Sequence, residues 1–312
     1  MSMSVKFSET NYKNFGKCLK IDNGVVTLLI TVDVGPRVIY YSLNGKENVF
    51  NEDIERSTVR DSEELHKFFD TNENWYIYGG HRLWSSPESW PDSYTPDNSP
   101  VEYEILGSSV ELRPAPRTKV GEQHIMTVTV DENSSKVTVT HKIINISDHE
   151  LKLAPWAMTV AEKGGVEIIP QCRKQTGLLS NRRMVIWEYT DVNDERFYMS
   201  NKYMTLRQTD KESSFKVGVN NEDGWCAYIN KGQAFKKSFS FDENAVYPDY
   251  DVNFETFTNQ FIVEIETLGK LETLKPGGAA VHNEVWELFP CDESFDCRSD
   301  ESIEKFVSTY LK

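Results

Sequence analysis

No stretch of this chain is apolar and long enough to cross a bilayer: the longest candidate, Val25 to Val34, is interrupted by Thr and Asp and falls well short of the roughly 20 residues a spanning helix needs. The opening MSMSVKFSETNYKNFGKC contains no apolar core of the kind a secretory signal carries. Positive charge is also scarce, with 34 Lys plus Arg against 49 Asp plus Glu and a formal net charge of −15. A phosphate backbone or an anionic lipid surface would be repelled overall, so neither nucleic acid nor a membrane is expected as a partner. The five cysteines (Cys18, Cys172, Cys226, Cys291, Cys297) are odd in number, scattered and free of any C-x-x-C pair, which excludes a disulfide framework and a zinc knuckle. Cys291 and Cys297 are close enough to pair in an oxidising setting, but the expectation is a cytoplasmic protein with reduced thiols, no metal and no cofactor. The sequons at Asn133 and Asn145 carry no weight without a secretory signal. No short repeat and no low-complexity linker marks a boundary. The 312 residues suffice for one large all-β domain with a sizeable core, and a single domain over 1–312 is expected.

What the chain does contain is a succession of short β-type runs. Val25 to Val34 and Arg37 to Leu43 flank the breaker Gly35-Pro36, and Asn44-Gly45 signals the turn that follows. Further runs recur at Val101–Leu106, Ser109–Leu112, His124–Val130, Lys136–Ile146, Leu151–Val160 and Val166–Pro170, and on through Asn181–Asp191, Tyr203–Gln208, Phe215–Val219, Gly224–Asn230 and Ala234–Phe241. This spacing argues for an all-β sandwich or barrel rather than alternating β and α units. Within Lys136–Asn145 the period of two puts His141 on one face with Val137, Val139 and Ile143, the setting of an interior histidine more than a catalytic one. Pro155 stands in the middle of LKLAPWAMTV, which suggests an edge strand or a bulge there. A short surface helix is suggested around Glu63, Glu64 and His66. Only the C-terminus is plainly helical: Ile303, Phe306, Val307, Tyr310 and Leu311 share one face, and Ser299 or Asp300 can cap the start. That helix is expected on the outside of the sheet.

Two stretches carry candidate chemistry. Asn74 to Asn98, NWYIYGGHRLWSSPESWPDSYTPDN, holds three Trp and three Tyr beside His81, Arg82, Asp97 and Asn98. Aromatic faces cover the C–H side of a sugar ring while polar groups bond its hydroxyls, so the mixture suits a shallow carbohydrate pocket; an ordered loop whose aromatics pack on the sheet is the plainer reading. Gly79 and Gly80 would turn the chain and bring His81 to the rim. Arg37, just after Gly-Pro, is a cation near a strand start, and taken on its own it is expected to be exposed. The second stretch is Phe261 to Thr267, where alternation puts Ile262, Glu264 and Glu266 on one face. Two carboxylates pointing into a hollow would repel one another and lose water, raising the pKa of one as a general acid or base requires. On the returning strand Val281–Leu288, His282 and Glu284 are expected to face outward.

Together these residues resemble the galactose mutarotase-like superfamily, the aldose 1-epimerases and their relatives. The resemblance spans most of the chain and rests on Gly79-Gly80-His81, on FIVEIETLGKLETLKPGG followed by HNEVWEL, and on APWAMTV, PDN at 96–98 and NFETFTN. More closely, it points to an uncharacterised bacterial branch. It implies an all-β supersandwich with a C-terminal helix and a sugar site on a concave face. It implies Glu266 as general base, with Glu264 as the register alternative, and His81 or, less so, His141 as acid. The family's second histidine is replaced here by Ala154-Pro155-Trp156. The implied ligand is a small-molecule carbohydrate held by Arg37, Arg82, Trp84, Asp97, Asn98, His141, Trp156 and Glu264, with no metal or nucleotide. The implied reaction opens and recloses the ring at the anomeric centre. A non-catalytic carbohydrate-binding protein is the alternative. A glycoside hydrolase is disfavoured because Glu264 and Glu266 share one side of any bound sugar. Arg113, Arg117, Arg182 and Arg183, with Arg37 and Arg82, are candidates for a phosphate-binding pocket if they converge. The sequence leaves the oligomeric state open.

Overall fold

The computed structural model describes residues 5–311. Met1 to Ser4, at the start of the segment that lacks an apolar signal, and Lys312 lie outside the described residues. Two large antiparallel sheets, of 11 and 10 strands, face one another, and a two-stranded ribbon stands apart. Alternation supplies the filling between them: Val137 and Val139 from one strand meet Val263 and Ile265 from the opposite sheet in a single apolar cluster, while Ile143 further along the same strand packs with Leu83, Leu153 and Leu274. Trp286 is its largest member, fully buried, with the rings of Phe50, Phe235 and Tyr41 at 5.6, 5.8 and 5.9 Å. The expected strands are present, with one shortened: Asn181–Asp191 keeps only Met184–Ile186 as strand, and the rest turns across the face of the first sheet to bring Trp187 and Tyr189 to a cavity. The helix around Glu63 spans Glu63–Phe69, capped by Ser62. The C-terminal helix spans Asp300–Tyr310, capped by Ser299, and packs Ile303 and Phe306 on Ile168, Ala227 and Ile229 at the outer face of the second sheet.

Three expectations are corrected. Pro155 lies in neither an edge strand nor a bulge: Leu151–Ala161 is a central strand, between Gly80–Ser86 on one side and Val263–Leu268 on the other. The missing N–H is tolerated because Pro155 falls where pairing passes from Val263–Leu268 to Glu272–Leu274, and there its carbonyl accepts from Gly269 N at 2.8 Å. His282 and Glu284 face inward, since Ala280, His282, Glu284 and Trp286 form the buried half of the Ala279–Pro290 strand while Val281 and Asn283 are exposed. Arg37 is buried rather than exposed, with Nη1 bonded to Asp97 at 2.6 Å.

His141, His282 and Glu284 form a polar seam between the sheets, and His81 joins them from the opposite side. His141 Nδ1 donates to the carbonyl of His282 at 3.1 Å, which leaves Nε2 as acceptor for His81 Nε2–H at 2.7 Å. His81 Nδ1 then accepts from Thr159 Oγ1 at 2.8 Å. Glu284 accepts from Trp286 Nε1 at 2.8 Å and from Lys237 Nζ at 3.0 Å. Burial pushes His141 down to about 4 and His282 down to about 3, so both are neutral in the fold. Burial alone would raise Glu284, but Lys237 overrides it and holds the carboxyl below its usual range. Beside this seam Glu167 accepts from Thr256 Oγ1 at 2.5 Å, and burial pushes its carboxyl up to about 8.

Candidate functional site

The outer face of the 11-stranded sheet carries the second half of the same alternation. Arg82 and Trp84 project from Gly80–Ser86, Trp156 and Met158 from Leu151–Ala161, Glu264 and Glu266 from Val263–Leu268, Glu255 and Phe257 from Phe254–Thr258, and Lys216 from Phe215–Val219. Register places them side by side: Met158 lies between Arg82 and Glu266, and Glu255 is the next neighbour of Glu266. Walls rise from Trp75 and Ile77, from the loop carrying Glu88 and Tyr94, and from Trp187 and Tyr189, enclosing a cavity of about 480 Å³. A second cavity of about 490 Å³, reaching Trp90, Asp249 and Glu255, shares Glu88, Tyr94, Trp156, Trp187 and Lys216 with the first. The two form one continuous hollow.

Its walls are indoles and its floor is charged. Trp84 meets Trp75 at 5.4 Å, Tyr94 at 5.2 Å and Trp156 at 5.7 Å between ring centres. Arg82 lies over Trp84 at 4.5 Å and reaches Glu264 with Nη2 at 3.3 Å, while its Nε and Nη1 have no hydrogen-bond partner among the described residues. Lys216 Nζ sits over Trp187 and Trp156 at 4.7 and 4.9 Å, and bridges Glu255 at 2.8 Å and Glu266 at 2.9 Å. Trp156 Nε1 adds a further bond to Glu266 at 2.9 Å. Burial opposes charge on Lys216, but Glu266 and Glu255 outweigh it and raise the ammonium well above its usual range. Glu255, with one shared cation and Glu266 beside it, is pushed well up by burial; Glu264 is raised by burial too, with Arg82 offsetting part of the effect. Burial likewise lowers Arg82.

The residues singled out in the sequence divide between this hollow and the interior. Arg82, Trp84, Trp156 and Glu264 line it. Glu266 lies directly under Lys216 and Trp156 and is fully buried, so Glu264 is the carboxylate that meets the open space. His81 is corrected as a rim residue. It is adjacent to Arg82 on one strand, and successive strand side chains point to opposite faces, so a fold that turns Arg82 to the hollow sends His81 into the seam. His141 belongs to that seam as well. Asp97 pairs with Arg37 beside a separate chamber of about 100 Å³. Asn98 ties the loop down, accepting from Tyr78 Oη at 2.5 Å and donating to the carbonyl of Asn74 at 2.8 Å. The arginines considered for phosphate do not converge: Arg113 pairs with Glu111, Arg117 with Glu122 and Arg183 with Asp251, while Arg182 bonds Asn201. Lys216, Glu255 and Trp187 were not singled out. Alternation in Phe215–Val219 marks Lys216 as facing away from the apolar side, but no local signal says that face is a cavity floor.

His81, His141 and Glu284 bring two Nε2 atoms and a carboxylate oxygen within 4.8 Å of one another, the one metal-ligand grouping found among the described residues. Each of these atoms is already engaged by the seam's own hydrogen bonds, and Lys237 neutralises the carboxylate. The donors therefore form a closed network rather than an open coordination site.

No known family model matches this chain, and no curated protein matches its sequence. Solved structures do match. A galactose mutarotase-like protein from Lactobacillus casei aligns with TM-score 0.55 and 11% identity, over 87% of this chain and 99% of its own. A protein from Klebsiella pneumoniae described as a candidate aldose 1-epimerase reaches TM-score 0.59 at 11% identity, over 97% of this chain and 87% of its own. A TPR-domain-containing protein from Parabacteroides distasonis reaches 0.58 at 16% identity over 90% of this chain, which spans only about half, 48%, of that longer protein. At such identities the likeness defines architecture: the chain has the galactose mutarotase-like supersandwich fold, with a C-terminal helix. No helix among the described residues is long and apolar enough to cross a membrane.

Proposed function

We propose that this protein binds a carbohydrate in the indole-walled hollow on the outer face of the 11-stranded sheet. The observation that carries this reading is the pairing of Trp84, Trp156 and Trp187 with the Arg82–Glu264 and Lys216–Glu255 ion pairs around one cavity. Indole faces take the C–H side of a pyranose and the fixed charges take its hydroxyls. The solved relatives named for mutarotase or epimerase activity lend fold-level support only.

A second reading, interconversion of anomers, is favoured by Glu264. It faces the cavity with its carboxyl raised by burial, which suits a base that must take the anomeric O1 proton near neutral pH. The floor carboxylates all project from one sheet face, so the proton for the ring oxygen has to come from the walls, to which Glu88, Tyr94 and Tyr189 contribute. Exchange NMR with a panel of aldoses tests both readings. Trp187→Ala should weaken sugar binding by roughly ten-fold or more; unchanged affinity would remove the hollow as the site. Anomer exchange above the buffer rate in the wild type, lost in Glu264→Gln with binding retained, supports the epimerase. Binding without exchange leaves a carbohydrate receptor.

A further inference from the structure

Every cation in the hollow is spoken for by an aromatic face: Lys216 by Trp156 and Trp187, Arg82 by Trp84, and Arg60 by Tyr94 at 5.4 Å. The acids are not matched in the same way. The two cavities take Glu88, Asp249, Glu255 and Glu264 into their lining, and Glu266 also draws on Lys216. Neither Glu88 nor Asp249 has a Lys or Arg nitrogen within ion-pair distance among the described residues; Glu88 accepts from Tyr94 Oη and Asp249 from Ser86 Oγ at 3.4 Å. Glu255, only 1% exposed, lines the outer cavity with its Oε1 lacking any hydrogen-bond partner. The indole face of Trp90 stands in the same cavity, half-exposed and held by its N–H to Glu64 at 2.6 Å.

Resting on the carbohydrate reading above, we propose that the outer half of the hollow is a subsite for a protonated amino group, so that the preferred ligands are saccharides bearing a free amine. Lys216 already shows the chemistry in place: an ammonium held between two indole faces and two carboxylates. Beside it the indole of Trp90 shares one cavity with Glu88, Asp249 and Glu255, a similar mixture of aromatic face and carboxyl groups whose one Lys or Arg is Lys216 itself. The surplus of acid disfavours a phosphorylated or carboxylated sugar, because a second anion would face unpaired carboxylates at short range. A neutral sugar offers Glu255 Oε1 only a hydroxyl donor, a weaker partner for a carboxylate than an ammonium.

The test is titration calorimetry of the intact protein with glucosamine, galactosamine and mannosamine, set against the parent hexoses, the N-acetyl forms and the 6-phosphates. At least one amino sugar should bind ten-fold or more tightly than its parent hexose. The preference should vanish on N-acetylation, on raising the pH past the titration of the ligand amine, and in Asp249→Asn. It should shrink as salt is added. The ligand-side comparisons use the wild type alone, so they hold even where a variant folds poorly. Equal or tighter binding of the neutral hexose or the 6-phosphate would overturn the subsite while leaving carbohydrate binding intact. Failure of every sugar in the panel to bind would instead remove the carbohydrate reading, and the subsite with it.

Discussion

Lys216 holds together the floor of the hollow, because Glu255 and Glu266, both buried, share its ammonium as their only ion-pair partner among the described residues. Removing one member of such a cluster leaves charge buried without compensation. Lys216→Met should therefore cost about 3–5 kcal/mol, read as a lowered urea midpoint, and Lys216→Arg should restore part of it. A midpoint unchanged by Lys216→Met would mean that the carboxylates are satisfied some other way. At this scale the sequence is legible wherever a single rule decides. Alternation correctly turned Glu264 and Glu266 the same way and put His141 among apolar neighbours. The same rule, applied to His81 and Arg82 as a pair, shows that the two cannot serve one pocket; grouping them by composition hid it. His282 and Glu284 went wrong for a different reason. Polar residues are expected outside, and only Thr267 and Lys237, brought from other strands, with Trp286 two residues further along the same strand, make their burial tolerable.

The C-terminal helix and the site lie on opposite outer faces of the two sheets, so the helix can be loosened without touching the hollow. Ile303→Ala, in the fully buried anchor of that helix, should cost about 2–5 kcal/mol and speed amide exchange along Asp300–Tyr310. Sugar affinity should stay as it was; a coupled loss of binding would show that the sheets transmit strain between their outer faces. Helix and cap were readable from spacing alone because both are local properties. The central strand carrying Pro155 was not. A proline is informative about the hydrogen bonds its own strand lacks, and whether a neighbour needs that bond depends on where two distant strands, Val263–Leu268 and Glu272–Leu274, leave a gap.

Across the whole molecule, buried titrating groups of both kinds shape stability against pH. His141 and His282 are held neutral, so their contribution is complete above the unfolded value of about 6.5 and is lost as pH falls toward their folded values of about 4 and about 3. Glu167 has the opposite sign. Its folded carboxyl keeps a proton up to about 8, so its contribution is complete below the unfolded carboxylate range and drains away as pH rises through about 8. From about pH 7.5, a unit above the unfolded histidine value, to about 8 the histidine terms are nearly constant and the raised carboxyls dominate. Over that window the wild type should lose stability, and Glu167→Gln should remove up to about 1.4 kcal/mol per pH unit of the slope. Parallel urea-midpoint profiles for the two proteins would exclude this role for Glu167. The overall architecture was legible because many short strands in succession admit few folds. The order in which they pair, with Gly80–Ser86 beside Leu151–Ala161 and that beside Val263–Leu268, is a long-range property, and it is this order that assembles the hollow. One more consequence follows from the packed indoles of its wall. Trp75, Trp84 and Trp156 stand in a chain at 5.4 and 5.7 Å, inclined by 54° and 71°, close and oblique enough for their electronic transitions to mix. The wall of the hollow is thus also a coupled chromophore, whose circular dichroism would respond to any ligand that tilts one ring against the next.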